Sequence, residues 1–427
     1  MAEPGVREAG LLLQRIFPDP LDPDGLGSTA GESADAVLEP FFRERHAGSR
    51  ERAGVAEWLY YVLRHRRRLE VMVRGVLPAG AVPSGMQLAI AASVAGREAG
   101  ERDDLATRLG VAPRSHGAVD PPPLSAAERL SLPDWLWERF AEQWGAEEAE
   151  RLGESLNQPA SVDLRVNTLR ATREAVLAAL AEARIPAVPT PYGPDGVRLL
   201  QRQPLGGLEA FKQGWFEVQD EGSQLIAPLL MPQSGETVVD LCAGGGGKTL
   251  HLAALMGNRG RIVAADTQAH RLARLGGRGK RAGVRIVRTV ALRHERDPKL
   301  KSLEGRADAV LVDAPCSGLG TLRRRPELKW RLQRGEVEAY HYRQCALLEA
   351  GARLTRPGGR LLYATCSLLQ RENQAVVAAF LADNKNFRLK PVRMVAGLPS
   401  QTAPFLLLLP HQTETDGFFA ALLQRTT

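Results

Sequence analysis

"VVDLCAGGGGKTLHLA", residues Val238 to Ala253, decides how the rest of the chain is read. An apolar run, a glycine turn and a Lys-Thr pair follow one another as a strand, a loop and the start of a helix. The phosphate loop of a nucleotide hydrolase has this order, and "AVLVDAP" (Ala309 to Pro315) even places Asp313 where a Walker-B acid would stand. The register excludes that reading. With Gly247 before Lys248 the phosphate loop requires glycine at position 242, which is Cys242. The dinucleotide pattern GxGxxG fails too, because a count from Gly244 puts Thr249 where the third glycine belongs. What remains is a backbone able to pass close to a ligand. The ligand itself is set by the residues around it.

From about Ala227 onward, strand, loop and helix repeat. Strands are expected at Thr237–Leu241, Arg261–Ala265, Ala309–Val312 and Leu361–Thr365, with helices between them, which argues a parallel α/β sheet. "PFLLLLP" and "GFFAALL", joined by "HQTETD", read as an antiparallel hairpin closing the sheet. Ligands of open α/β sheets bind beyond the carboxyl ends of the strands. The first end carries Cys242, Ala243, Gly244, Gly245, Gly246, Gly247 and Lys248. The second carries Asp266, an acid placed to accept the hydroxyls of a ribose, as for an adenosine-containing ligand. The end of Ala309–Val312 carries "DAPCSG" (Asp313 to Gly318) and the end of Leu361–Thr365 carries "TCS" (Thr365 to Ser367).

Cys316 and Cys366 therefore end neighbouring strands, each followed by serine, whereas Cys345 falls mid-helix. A lone cysteine of this kind is ordinarily a small buried hydrophobe. Two at one ligand edge point to chemistry. Carbon 5 of a pyrimidine is too electron-poor to attack a methyl donor. A thiolate added at carbon 6 makes carbon 5 nucleophilic, so that it takes a methyl from S-adenosylmethionine (SAM), loses its proton and expels the thiol. Asp313 is placed to stabilise the adduct, and Lys248 to lower a thiol pKa or touch the base.

The remaining composition agrees with a polyanionic partner. The chain has 427 residues and a net charge of +7, from 56 basic and 49 acidic side chains, which favours a polyanionic partner. Its four cysteines include no CxxC pair, so no zinc or disulfide scaffold is implied and a cytoplasmic protein is expected. No targeting signal, membrane span or internal repeat is read. Residues 1–120 read as helices, with Val55, Leu59, Val62 and Leu63 on one face and an arginine run, including Arg64 and Arg67, after them. "HGAVDPPPLS" (His116 to Ser125) marks a linker. Residues 121–225 hold helices, with Trp135, Trp137 and Trp144 expected in the core, and a small α+β module with strands at Val162–Val166, Val197–Leu200 and Trp215–Val218. Residues 226–427 form the catalytic region. "TLRRRPELKWR" (Thr321 to Arg331) directly follows the "DAPCSG" loop, so Arg323, Arg324, Arg325 and Lys329 join Arg64 and Arg67 as candidate RNA contacts, with Trp330 anchoring the loop.

"RVNTLR", "FEVQDEGSQL", "VVDLCAGGGGKT", "LVDAPCSGLGTLRRRPELKW", "LLYATCS" and "DGFFAALL" together resemble the RsmB/Nop2/Sun family of SAM-dependent RNA (cytosine-5) methyltransferases, from Val162 to the C-terminus. "FFRERHAGSRERAGVAEWLYYVLRHRRRLE" is similar to the NusB-like helical RNA-binding domain of bacterial RsmB-type members. The resemblance implies a Rossmann-like class I methyltransferase domain behind a small α+β module and an all-α domain. It implies Cys366 as the nucleophile, Cys316 assisting release of the adduct, the Cys242–Lys248 loop and Asp266 on SAM, and Asp313 between SAM and cytosine. The expected product is 5-methylcytosine in 16S ribosomal RNA, made by a monomer without metal or membrane partner. A tRNA methyltransferase and a non-catalytic ribosome assembly factor are the alternatives. One departure stands out: the family's adenine-contacting acid after the third strand is missing near Ala291–His294, so that either Glu295 or Asp297 substitutes or adenine is bound more weakly.

Overall fold

A computed structural model describes residues 5–17, 33–77, 81–94, 108–109, 123–392, 397–398 and 404–426. Most of the proline-rich stretch read as a linker lies outside them. The chain divides into two compact units, Met1–Gln158 with Leu322–Glu336, and Pro159–Thr321 with Val337–Thr427.

In the first unit the described residues are helical. Val6–Ile16, Ala34–Glu44, Ser49–Arg74 and Gly85–Val94 pack around Val55, Leu59, Val62 and Leu63, which are spaced to share one helical face and are fully buried. The helix Ser49–Arg74 kinks at His65, whose φ of −109° and ψ of 16° leave the helical range. The tryptophans expected in the core are only half-buried. Leu136 and Phe140, spaced i and i+4, take the inner face of the helix Asp134–Trp144, and Trp144 leans on Phe140 with ring centroids 5.4 Å apart.

The second unit holds two sheets. Strands β1 (Val162–Val166), β2 (Ala187–Pro189), β3 (Gly196–Leu199) and β4 (Phe216–Val218) form an antiparallel sheet in the order β2-β3-β1-β4. It packs against the helix Arg173–Glu182, whose N-cap Thr172 accepts from Ala175 N as its sequence suggests.

The larger sheet contains β5 (Thr237–Asp240), β6 (Arg261–Asp266), β7 (Val287–Ala291), β8 (Ala307–Asp313), β9 (Thr355–Thr365), β10 (Phe387–Lys390), β11 (Leu406–Leu408) and β12 (Phe418–Arg425). Its order is β10-β12-β9-β8-β5-β6-β7. Strands β5 to β9 run parallel, and β12 runs antiparallel to β9. The expected hairpin forms between β11 and β12, with Leu406 opposite Ala420, and β10 borders the other half of β12. Alternate residues feed two cores. Val239, Val263, Val310, Val312 and Tyr363 face one layer of helices, and Val238, Ile262, Ala309, Leu311 and Leu362 face the other. The chain runs outward through β5, β6 and β7 and restarts at β8 on the other side of β5. This reversal opens a crevice at the carboxyl ends of β5 and β8, where the glycine loop and "DAPCSG" emerge.

Candidate active site

The loop after β5 is shaped by close packing. Gly246, at φ 84°, is the left-handed residue that starts the helix Gly247–Leu255, and a β-carbon there would lie 2.2 Å from Leu275 Cδ1. Asp266, at the end of β6, accepts from Gly244 N and from Gln268 N, both at 2.7 Å. Two arginines hold the loop carbonyls. Arg278 Nη1 donates to Gly245 O at 2.5 Å and Arg165 Nη1 to Gly247 O at 2.6 Å. Both are tied to the small sheet, Arg278 through Glu217 on β4 and Arg165 by its own place in β1. Burial drops the Arg165 guanidinium to about 10. Ala243 is buried, and the Cys242 thiol packs on the core, pushed up by burial and by Asp240, Asp266 and Asp313.

Asp240 ends β5 beneath this loop. One carboxylate oxygen accepts from Thr249 Oγ1 at 2.7 Å, and Oδ1 has no hydrogen-bond partner. Burial raises the group to about 7. A buried acceptor left without a donor is costly. At the start of the following helix, nothing stands within 4 Å of where a Gly247 β-carbon would project. The unsatisfied acid beneath the loop suits a ligand with a cationic or N–H donor, as SAM has in its ammonium group. Lys248 is not directed at a phosphate. Its Nζ lies 2.7 Å from Asp313 Oδ2 at the switch point and 5.1 Å from the centre of the Phe418 ring.

The cysteine loops meet one strand over. Cys316 Sγ and Cys366 Sγ are 3.4 Å apart, and both residues are of intermediate exposure. The contact with Cys366, burial and Glu372 push the Cys316 thiol well above its ordinary range. Ser317 Oγ and Ser367 Oγ are 3.1 Å apart, and both donate to buried Glu372. Gly320 joins three segments: its N–H donates to Cys366 O and its carbonyl accepts from Gly417 N, both at 2.8 Å. A β-carbon at Gly320 would lie 2.2 Å from Gly417 O and 2.8 Å from Cys366 O.

Asp297, one of the two substitutes for the missing acid, is turned into the protein. It accepts from Lys299 N at 3.0 Å and Arg293 N at 2.9 Å, capping the turn Pro298–Leu303, and these bonds hold it at about 2. Glu295 stays partly exposed. Asp240, Arg165, Arg278 and Glu372 were missed by the sequence reading. An acid closing an otherwise apolar strand was the one signal available for Asp240. The others lie far in sequence from the groups they hold, or read as ordinary surface charge.

The RNA candidates fall in the first unit and most are engaged there. Lys329 is 2% exposed, so the structure redirects it from RNA contact to the interior. Its Nζ donates to Arg64 O and Asn157 Oδ1, each at 2.8 Å, and burial drives its pKa well down. Trp330 Nε1 donates to Leu63 O at 2.6 Å, anchoring the segment. Arg64 Nη2 donates to Arg323 O, and Arg67 pairs with Asp134 and Leu132 O. Arg324 is half-buried, and Arg325 is exposed beside Glu327 at 3.5 Å. In the second unit, Arg170, Lys212, Lys280 and Arg281 line a cavity with Phe211 and Trp215. Among the described residues no cluster of His, Cys, Asp and Glu is placed to hold a metal ion, and no helix is long and apolar enough to cross a membrane.

Known proteins agree with this architecture. Residues 227–424 match the family model for 16S rRNA methyltransferase RsmB/F, and residues 132–206 match the ferredoxin-like domain of the same methyltransferases. The probable ribosomal RNA small subunit methyltransferase B of Synechocystis sp. is 38% identical over 72% of this chain and 70% of its own length. The protein PH0851 is 28% identical in structural alignment, with a TM-score of 0.80 over 100% of this chain and 99% of its own. NSun6 from Pyrococcus horikoshii, solved with the SAM analogue SFG, gives 26% identity and a TM-score of 0.63 over 69% of this chain and 98% of that one. The glycine loop at the switch point, the paired cysteines at adjacent strand ends and these matches converge: the chain belongs to the RsmB/F family of SAM-dependent methyltransferases.

Proposed function

We propose that the chain methylates carbon 5 of a cytosine in 16S rRNA, acting in the cytoplasm as a monomer, through a covalent bond between Cys366 and carbon 6. The observation that carries this reading is the 3.4 Å approach of two thiols at the ends of β8 and β9, the strands next to the glycine loop. SAM supplies an electrophilic methyl group. Asp266, Asp240 and the loop Cys242–Lys248 would hold it, the backbone N–H groups and the two acids being the groups placed to contact it. The Cys366 thiolate adds to carbon 6, and the electron pair moves through the ring toward N3 and O2. Asp313, in its protonated form, gives N3 the proton that neutralises this charge and takes it back when the adduct collapses; Lys248 Nζ lies 2.7 Å from its carboxyl group. Carbon 5 then takes the methyl from the sulfonium, which leaves as S-adenosylhomocysteine; the carbon 5 proton passes to a base, and the electron pair it leaves expels the Cys366 thiolate as the carbon 6–sulfur bond breaks. Cys316, kept as a thiol by its surroundings, serves the release step. The basic cavity with Trp215 is the seat for flanking RNA, since it joins cations to an aromatic face. The helical N-terminal region, 1–120, is read as a NusB-like RNA-binding domain.

Substitution of each cysteine tests the mechanism. Cys316→Ala is expected to stall as a protein–RNA complex that survives denaturing electrophoresis and disappears with ribonuclease. Cys366→Ala and the double variant are expected to give neither complex nor 5-methylcytosine by bisulfite sequencing. A complex formed by Cys366→Ala instead would reverse the two roles. Full activity in both single variants would remove the covalent mechanism.

A further inference from the structure

Glu372 lies six residues after Cys366, at the end of the turn Gln370–Glu372, and is fully buried. Among the described residues it forms no ion pair, yet four donors surround its carboxylate. Oε1 accepts from Ser317 N at 2.9 Å and from Gln344 Nε2 at 3.0 Å. Oε2 accepts from Ser317 Oγ at 2.5 Å and from Ser367 Oγ. Tyr363 OH donates to the backbone carbonyl of Glu372 at 2.6 Å, and Gln344 Nε2 also reaches Pro315 O at 3.1 Å. The two serines directly follow the two cysteines. Hydroxyls 3.1 Å apart and thiols 3.4 Å apart thus form two Cys-Ser pairs from different loops, closed by one carboxylate.

We infer that Glu372 is a positioning residue for methyl transfer, setting the spacing of the Cys316 and Cys366 thiols by binding Ser317 and Ser367 together. Its kinetic consequence rests on the cytosine-methylation reading above; its geometric consequence does not. The donor set separates shape from charge. Ser317 N and the Gln344 amide can only donate, so Oε1 must remain an acceptor. The serine hydroxyls rotate, and each accepts as readily as it donates. A glutamine at 372 therefore satisfies every partner, its carbonyl toward Ser317 N and Gln344 and its amide toward the hydroxyls. Alanine satisfies none and frees the two loops. A displacement of about 1 Å in a reacting group costs on the order of 100-fold in rate.

The test uses the full chain and two readouts. Diamide oxidises neighbouring thiols by taking up their two electrons and two protons, so the rate of Cys316–Cys366 disulfide formation, read by mass spectrometry, reports thiol spacing without RNA. Methylation kinetics on 16S rRNA report the reaction. Glu372→Ala is expected to slow disulfide formation by about tenfold and kcat by about 100-fold, with KM for RNA and SAM affinity within about threefold of the parent. Glu372→Gln is expected to stay within about threefold on every measure. A Glu372→Ala chain with parental disulfide rate and kcat overturns the inference, as does a Glu372→Gln chain that loses thiol spacing as fully. Should Glu372→Ala fail to fold, Ser317→Ala with Ser367→Ala removes both hydroxyl links while leaving Glu372 its two N–H donors. The same slowing is expected there, and an unchanged disulfide rate overturns the inference. If the parent forms the disulfide at a Glu372-dependent rate but methylates no cytosine, the functional reading fails and the clasp stands.

Discussion

Two stretches of this chain invite a functional reading, the Cys-Ser pairs at 316–317 and 366–367 and the arginine-rich segments at 64–68 and 323–325. They behave differently in the fold. The Cys-Ser pairs come from loops 50 residues apart and converge until their thiols are 3.4 Å apart. The basic segments also meet, but largely to satisfy one another. At the His65 kink the helix releases the carbonyls of Leu63 and Arg64, and Trp330 and Lys329 supply the missing donors. Arg66 is nearly buried, paired with Glu70 and lying over the Phe17 ring at 4.3 Å. A run of charge records only that cations are present. Two uncommon, reactive side chains at neighbouring strand ends record a shared position, which is far harder to arrange by composition.

The sharpest way to break the contrast lies at Gly320. Gly320→Ala places a methyl against two backbone carbonyls that have no rotamer with which to yield. We expect kcat to fall by about 100-fold or more, with SAM affinity, measured by calorimetry, changed by less than about threefold. Retained activity would show that the spacing of the three segments is not critical.

Lys329 tests the other side. Lys329→Ala removes a buried side chain and leaves Asn157 Oδ1 and Arg64 O without their donor, a loss of about 2–4 kcal/mol. It should appear as faster hydrogen exchange across the helix Ser49–Arg74. The salt dependence of RNA binding should be unchanged for the folded fraction, whereas Lys212→Glu with Lys280→Glu should lower its slope by about one unit per lost phosphate contact. A reduced slope in Lys329→Ala alone would return that residue to the RNA surface.

The smallest effect concerns acid. Burial, with Lys329, Arg68 and Arg64 nearby, lowers His65 to about 4. Between that value and the ordinary 6.5 the unfolded chain binds the proton and the folded chain does not, so unfolding gains from acidification. Stability of the helical unit should fall as pH drops from about 6.5 toward 4, and the slope should flatten in His65→Gln. An unchanged slope would mean that the ring is open to water.

Most of the catalytic sheet was legible because buried parallel strands are short apolar runs bounded by glycine, and the ligand end follows from strand direction alone. The two cysteines could be read for the same reason. Legibility ended where neighbours are remote or patterns conflict. Thr355–Arg360 reads as a turn, "TRPGGR", yet it extends β9, with the extra residues bulging out between Thr355 opposite Ala307 and Arg360 opposite Ala309. Strand β10 is four residues long, with only Phe387 fully buried. Glu372 sits within "QRENQ", which looks like solvated surface, and its burial depends on serines brought from elsewhere. No local feature shows that Leu322–Glu336 folds with helices more than two hundred residues earlier.

The bracing of the glycine loop limits where this enzyme can be cut. A chain begun at residue 226 would keep every strand of the large sheet. It would lose Arg165, the donor to Gly247 O, and Glu217, the carboxylate that steadies Arg278 against Gly245 O. It would also lose Asn167, whose amide donates to Ala282 O at the end of the helix Ala269–Ala282. The small sheet is thus part of the brace of the glycine loop. A cut just before residue 159 would keep that brace but strip Leu322–Glu336 of the helices it folds with, so neither junction leaves a fragment with all its partners.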